Sequence, residues 1–139
     1  MKIRITLIFG LPGSGKTTLG RAMYEHEPWH TLFLDDLSLN PKMINDFDPN
    51  VHRHVIISDP MLCEVTEIDA RRLCKKWWPS QDFEFNFKSI YFQNDPEACT
   101  INALRDPKPG GTTNMIKILT KVYFVPTDGD IRPVYKEIA

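Results

Sequence analysis

The chain has 139 residues, of which 42% are apolar and 25% charged, and its formal net charge is −1. This length suits one compact domain over residues 1–139 and excludes two ordinary ones, and the balance of side chains excludes a disordered chain. The near-neutral charge excludes a global basic field for nucleic acid, and no apolar run is long enough to cross a bilayer.

Short apolar runs alternate with helical stretches along the chain. The first run, residues 3–9, is rich in β-branched side chains and predicts a strand buried on both faces. A glycine-rich turn follows it, and the next helix is expected to stop before Pro28. Asp95 and Pro96 are typical of a helix start, as N-cap and first residue. The predicted strands cover residues 3–9, 31–34, 55–57, 83–92 and 131–135. The predicted helices cover residues 16–25, 64–77, 96–104 and 114–122.

Alternation of this kind predicts an α/β domain with a mainly parallel sheet of four to five strands. Residues 10–17 then read GLPGSGKT and fit the pattern G-x-x-x-x-G-K-[ST] in full. The pattern follows a predicted strand and opens a predicted helix, as a phosphate-binding loop requires. Its glycines let successive N–H groups turn inward, and the helix dipole favours an anion. The sequence therefore predicts a three-layer P-loop NTPase fold that binds ATP through Gly10, Gly13, Ser14, Gly15, Lys16, Thr17 and Thr18.

Two side chains of this loop are assigned individual roles. Lys16 is expected to reach the β- and γ-phosphates and to act in catalysis, and the Thr17 hydroxyl is expected to ligate Mg²⁺. The alternative is a glycine-rich turn between strand and helix that binds no ligand.

Three aspartates stand at the ends of predicted strands, where ligands bind in open α/β sheets. Asp35 is expected to orient and deprotonate an attacking hydroxyl, although it could instead cap the next helix. For Asp36 the cap is the favoured interpretation. Asp59 is expected to hold the magnesium ion directly or through a water molecule, although Asp59 before Pro60 is also an ordinary turn starter.

A Pro/Gly segment follows Arg105, and residues 105–113 are where a lid is expected to fold over the triphosphate. Arg105 would then stabilise charge on the transferring phosphoryl group, with Lys108 as a weaker candidate. The competing interpretation of Arg105 is a solvent-facing helical side chain.

One helix carries cations and tryptophans that could stack on single-stranded nucleic acid, but such residues are more often a solvated face and core side chains. They are Arg71, Arg72, Lys75, Lys76, Trp77 and Trp78. No role is assigned to the four histidines, His26, His30, His52 and His54.

The three cysteines, Cys63, Cys74 and Cys99, lack C-x-x-C spacing and are odd in number. This pattern favours free thiols in a reducing compartment over a disulfide framework or a zinc site. The first apolar run is too short for a secretory signal, so we expect a cytoplasmic protein, in the host cell if a phage encodes it.

The series GLPGSGKTT, FLDD, VIISD and YFQND-PEAC-x-x-NALRD resembles the kinase domain of bacteriophage polynucleotide kinase and its small relatives, over residues 1–125. That family transfers the ATP γ-phosphate to a 5′-hydroxyl of DNA or RNA. The resemblance implies that Asp35 is the general base and that Lys16 and Thr17 are the loop lysine and hydroxyl. It also implies that Arg105 is the lid arginine and Asp59 the strand-end aspartate.

This sequence departs from the family at two places. Ser38 stands where the family has a substrate-binding arginine, and residues 37–53 form a short segment, so the acceptor stays open. A 5′-hydroxyl of a polynucleotide is favoured. The alternatives are a hydroxymethylated pyrimidine in DNA, a small nucleoside or nucleotide, and an ATPase switch that is not a kinase. Few cations in residues 37–54 argue against a phosphate acceptor.

Overall fold

A five-stranded sheet forms the centre of the computed structural model, which describes residues 1–105 and 112–136. All of its strand pairs are parallel, and the order is β2-β3-β1-β4-β5. The strands are β1 (Lys2–Phe9), β2 (Thr31–Asp35), β3 (His54–Ser58), β4 (Glu84–Phe92) and β5 (Asp130–Arg132). Because β1 is the middle strand, the loop that follows it lies at the centre of the carboxyl edge of the sheet.

Helices cover both faces of this sheet. They are α1 (Lys16–His26), α2 (Glu67–Trp77), α3 (Pro96–Arg105) and α4 (Thr112–Leu119). Side chains of α1 pack with Ile8 and Ile56 on one face. Those of the other three helices pack with Ile5, Leu7 and Phe9 on the opposite face. Three layers result, as the sequence predicts, and none of the helices within the described ranges is long and apolar enough to cross a membrane.

Local sequence explains where the helices begin. Asp95 caps α3 by accepting a hydrogen bond from the Ala98 N–H at 3.1 Å, as predicted. The predicted start of α2 at residue 64 is too early, because Pro60–Glu64 is a separate 3₁₀ helix. Thr66 then caps α2 by accepting from the Asp69 N–H at 3.1 Å. The side-chain cap therefore decides the boundary.

The last strand is shorter than predicted. It pairs only Asp130–Arg132 with β4, whereas the sequence predicted residues 131–135. Residues 133–136 leave the sheet, and the Tyr135 N–H donates to the Ser14 carbonyl at 3.0 Å. This segment therefore reaches the loop after β1.

Candidate active site

Two glycines give the loop between β1 and α1 its conformation. Gly13 has a φ of 82° and Gly15 a φ of 109°, a region that other residues rarely adopt. Gly15 is also the N-cap of α1 and makes no side-chain capping bond. The first N–H groups of the helix thus lack a capping side chain and can bind an anion. The backbone has the conformation that the motif predicts.

The interior of the loop contains a buried hydroxyl group that a ligand could hydrogen-bond. Ser14 is fully buried, and its hydroxyl oxygen has no hydrogen-bond partner within the described part of the chain. Leaving a buried hydroxyl unpaired costs about 1–3 kcal/mol, which a bound phosphate oxygen would offset. A β-carbon on Gly10 would lie 2.5 Å from this oxygen, so a larger residue there would displace the Ser14 hydroxyl.

Lys16 is only 6% exposed, and its ammonium group donates to the Leu11 carbonyl at 2.9 Å. Burial lowers the pKa of Lys16, and the nearby carboxylates of Asp36 and Asp35 act in the opposite direction. A buried ammonium is costly unless it is paired. Its position inside the loop, beside anionic groups, suits it to bind the phosphates of a nucleotide.

Asp35 is the last residue of β2, and it meets the first turn of α1. The Thr17 hydroxyl lies 3.2 Å and 3.1 Å from the two oxygens of the Asp35 carboxylate and donates to it. Strand β2 is not adjacent to β1 in the sheet. Asp35 and Thr17 meet because β2 ends at the same edge of the sheet at which α1 begins. This contact joins the predicted metal ligand to the predicted base.

These two side chains also fit a magnesium ion. Mg²⁺ takes oxygen ligands, keeps several waters and is usually held by one or two carboxylates together with substrate phosphates. The Thr17 hydroxyl is an oxygen donor of this kind, next to a loop suited to phosphate, and the adjacent Asp35 carboxylate can accept a hydrogen bond from a water of the ion. The donor set is therefore compatible with a nucleotide-bound magnesium ion.

Asp59 makes contacts that the sequence did not predict. Its carboxylate accepts hydrogen bonds from the Ser38 N–H, from the Ser38 hydroxyl at 3.1 Å and from the Met61 N–H at 2.7 Å. Asp59 thereby caps Pro60–Glu64 and fastens the chain after β2 to the end of β3. The turn-starting role is confirmed, and the metal role of Asp59 stays a prediction.

Asp36 lies in a turn with a φ of 51°, and its N–H donates to the Ser58 carbonyl at 2.9 Å. The next helical segment, Pro41–Asp46, begins after Asn40, which makes no side-chain capping bond. The predicted helix cap at Asp36 is therefore wrong, because the chain turns for four residues before it becomes helical again.

Arg105 is the last residue of α3 and is exposed. The predicted lid at residues 105–113 falls mostly on residues 106–111, which lie outside the described residues, as does Lys108. Thr112 and Thr113 belong to the first turn of α4. The catalytic role of Arg105 stays a prediction.

Trp77 and Trp78, at the end of α2, pack on the hydrophobic core. Trp78 is 8% exposed, and its indole N–H donates to the Ile44 carbonyl at 2.7 Å. Arg71 pairs with Glu67, and its guanidinium lies 5.4 Å from the centre of the Phe87 ring. The structural interpretation of this helix is confirmed.

Three residues that support the loop were missed in the sequence. The Asn102 side chain donates to the Gly13 carbonyl at 2.9 Å and to the Tyr135 carbonyl at 2.6 Å. The Cys63 thiol donates to the Gly10 carbonyl at 3.1 Å, and burial raises its pKa to about 11. An asparagine within a helix is a weak sequence signal of such a contact. The third residue is Tyr135, whose N–H donates to the Ser14 carbonyl, and neither Tyr135 nor Cys63 gives a signal in the sequence.

Comparisons with known proteins identify the fold. The structure is similar to a crystal structure of a gluconokinase from Sinorhizobium meliloti 1021, with a TM-score of 0.57 and 11% sequence identity. The match covers 95% of this chain and 83% of that chain. No family model and no curated protein matches the sequence. These comparisons give no support to a relationship with phage polynucleotide kinases, which stays a prediction.

The architecture and the loop geometry agree with this likeness. A central β1, a glycine loop opening α1 and helices on both faces are common features of P-loop proteins. The sheet is entirely rather than mainly parallel, with the upper of the two predicted strand numbers. This chain has the three-layer α/β fold of the P-loop NTPases.

Proposed function

We propose that this protein is a kinase that uses ATP and Mg²⁺ to phosphorylate a hydroxyl group. The contact between Thr17 and Asp35 carries the proposal, because it sets a carboxylate beside the loop that suits a triphosphate. A carboxylate in this position can accept the proton of an attacking hydroxyl. A turn that merely connects a strand to a helix does not need such a neighbour.

The other loop residues would bind and orient the nucleotide. Lys16 would exchange the Leu11 carbonyl for oxygens of the β- and γ-phosphates, and the N–H groups of the first turn of α1 would bind the same anion. Thr17 would hold Mg²⁺, with Asp59 as the proposed second contact. The ion, when bound, would neutralise charge on the phosphates. Arg105 is proposed to stabilise the transferring group from the lid side.

For the acceptor we propose the 5′-hydroxyl of a polynucleotide. The support is the resemblance of the four sequence segments to the phage kinase family, in which the residue that matches Asp35 is the base. Ser38 replaces the family's substrate-binding arginine, and its hydroxyl is bonded to Asp59. An acceptor strand would therefore have to be bound by other residues.

A small polyhydroxylated molecule is the second candidate acceptor. The similarity to a gluconokinase over most of both chains favours it. Three aspartates, Asp35, Asp36 and Asp59, lie near the loop, and a neutral or small acceptor meets less repulsion from them than a polyanion does. The core position of Trp78 also removes one possible platform for nucleic-acid bases.

An acceptor panel tests both levels of this proposal. The purified protein is incubated with γ-labelled ATP, Mg²⁺ and, separately, 5′-hydroxyl DNA, 5′-hydroxyl RNA, hydroxymethyl-pyrimidine DNA, deoxynucleosides, deoxynucleotides and sugar acids. We expect ADP formation that depends on one acceptor and label on its hydroxyl. Asp35→Ala should reduce transfer about 10²–10⁴-fold, while ATP binding largely survives. ADP release without any acceptor would instead indicate an ATPase, and near-native transfer by Asp35→Ala would remove the base assignment.

A further inference from the structure

We propose that Asn102 is a positioning residue that sets the phosphate loop for the nucleotide and couples it to residues 133–136. The inference rests on the proposed nucleotide binding. Asn102 is partly buried on α3, and both of its amide N–H bonds are used. One is donated to the Gly13 carbonyl at 2.9 Å and the other to the Tyr135 carbonyl at 2.6 Å.

A second contact closes this arrangement. The Tyr135 N–H donates to the Ser14 carbonyl at 3.0 Å. Asn102 and Tyr135 therefore bind two consecutive carbonyls of the loop, and Asn102 also holds the backbone of Tyr135. A β-carbon on Gly15 would lie 3.1 Å from the Tyr135 Cβ, so this segment packs directly on the loop.

The direction of these carbonyls decides which groups face a ligand. In a trans peptide the C=O and the following N–H point in opposite directions, and no cis peptide occurs in the described residues. When the Ser14 carbonyl points to Tyr135, the Gly15 N–H points away from it and stays available for an anion. When the Gly13 carbonyl points to Asn102, that oxygen is kept from facing the phosphates. Asn102 therefore acts on the nucleotide through the loop.

The same bonds link nucleotide binding to residues far along the chain. A ligand that favours the bound orientation of the loop peptides must also favour the bonds of Asn102 and Tyr135, because coupling between sites is reciprocal. Nucleotide should then slow hydrogen exchange at the Tyr135 amide. Asn102 lies on the same helix, α3, as Arg105, the first residue of the predicted lid.

The test compares two asparagines that make the same kind of bridge. Asn102→Asp keeps the size of the side chain, removes both donated bonds and adds a charge. Asn94 donates to the Thr120 and Tyr123 carbonyls at 3.0 Å and 3.2 Å, away from the loop, so Asn94→Asp is the matched control. Calorimetry with Mg²⁺ and ATP measures affinity, and thermal unfolding measures the structural cost of each change.

We expect Asn102→Asp to weaken Mg²⁺–ATP binding about 5–50-fold, from two lost hydrogen bonds and from an added negative charge beside the phosphate loop. Asn102→Ala, which adds no charge, should lose less, and Asn102→Gln should recover part of the loss. Asn94→Asp should lower the unfolding temperature without a change in affinity. In the acceptor assay, the KM for ATP should rise more than kcat falls. Equal affinity in wild type and Asn102→Asp would overturn the inference.

Exchange in the wild-type protein supplies a measurement that needs no variant to fold. Slower exchange at Tyr135 on addition of Mg²⁺–ATP supports the coupling, and unchanged exchange in a protein that binds ATP overturns it. A wild-type protein that binds no nucleotide would instead overturn the proposed function. The two failures are therefore distinguishable.

Discussion

The two ends of the sheet treat their polar side chains differently. At the carboxyl end, Lys16 is buried against a carbonyl and the Ser14 hydroxyl has no partner among the described residues. At the amino end, five polar residues pair with one another, and we call them the amino-end cluster: Arg4, Thr6, Glu27, His30 and His54. The buried Thr31 hydroxyl, at the same end, has no partner within the described ranges. At the carboxyl end the unpaired hydroxyl lies in a glycine loop beside a buried ammonium, a combination that suits an anion, whereas the paired cluster needs no ligand.

Burial acts on cations at both ends, with different results. It lowers the pKa of His54 to about 4, and the positive charge of Arg4 contributes in the same direction. It also lowers the pKa of Lys16, where two carboxylates partly compensate. The histidine thus stays neutral in a structural contact, while the lysine is kept beside anionic partners at the loop.

The largest effect is expected when Lys16 is replaced by methionine. The change removes one charged phosphate contact of about 1.5–3 kcal/mol, so transfer should fall at least tenfold, as also for Lys16→Ala. At pH 7 the free energy of unfolding should be higher in Lys16→Met than in wild type. The folded protein holds the Lys16 proton less tightly than the unfolded chain, so the full penalty applies below both pKa values. It disappears as pH rises from the lowered folded pKa towards 10.5.

Phosphotransfer assays and thermal unfolding between pH 7 and 10 check this prediction. Lys121→Met removes an exposed lysine and serves as the control, with no expected change in transfer. A Lys16→Met protein that is less stable than wild type, or equally active, would break the distinction between the two ends of the sheet.

A smaller effect is expected from Gly13→Ala. The new β-carbon would lie 2.5 Å from the Cys99 carbonyl oxygen, and the φ of 82° disfavours any side chain. We expect a loss of about 1–3 kcal/mol in the free energy of unfolding, together with weaker nucleotide binding. Gly129→Ala has the same kind of strain, with a φ of 115°, but no atom within 4 Å of the new carbon. Equal losses in urea unfolding would show that the contact with α3 is unimportant.

The smallest effect concerns the amino-end cluster. Because the folded pKa of His54 is about 4, the unfolded chain binds more protons between pH 4 and 6.5, and stability falls as pH falls through this window. As pH falls through that range, we expect the free energy of unfolding to decrease by roughly 2 kcal/mol less in His54→Gln than in wild type. Glu27, which opposes the shift, stays in place in both proteins. Urea unfolding at pH 4.5 and 7 measures the difference.

His26→Gln provides the comparison, because His26 is exposed and the Thr6 hydroxyl contacts His54 instead. Phosphotransfer at pH 7 should be the same in both variants and in wild type. Loss of transfer in His54→Gln would show that the amino end takes part in function.

Local sequence predicted the parts of the molecule that local forces decide. The apolar run of β1, the glycines of the loop and the Asp95 cap of α3 each act within a few residues, and each was placed correctly. The contact of Thr17 with Asp35 was only partly foreseen, as two residues at one site. Strand order could not be derived from the sequence, because it depends on how distant strands pack.

The errors have the same origin. Asp36 was assigned to a cap because aspartates often start helices, but the chain after β2 turns first to bring Ser38 to Asp59. Residues 133–135 were assigned to a strand from their composition, whereas the Ser14 carbonyl draws Tyr135 out of the sheet. Long-range hydrogen bonds of this kind overrule local preference and leave little trace in sequence.

The hydrogen bond between Tyr135 and Ser14 has a consequence for the order in which the molecule is made. The ribosome synthesises the glycine motif near the start of the chain, but the segment that braces it is made more than a hundred residues later. Domains generally fold from the N-terminal side during translation, so a nascent chain carries every motif residue before its loop can settle. Nucleotide should therefore bind only after residues 133–136 have been synthesised, and a fragment that stops before β5 should bind it weakly.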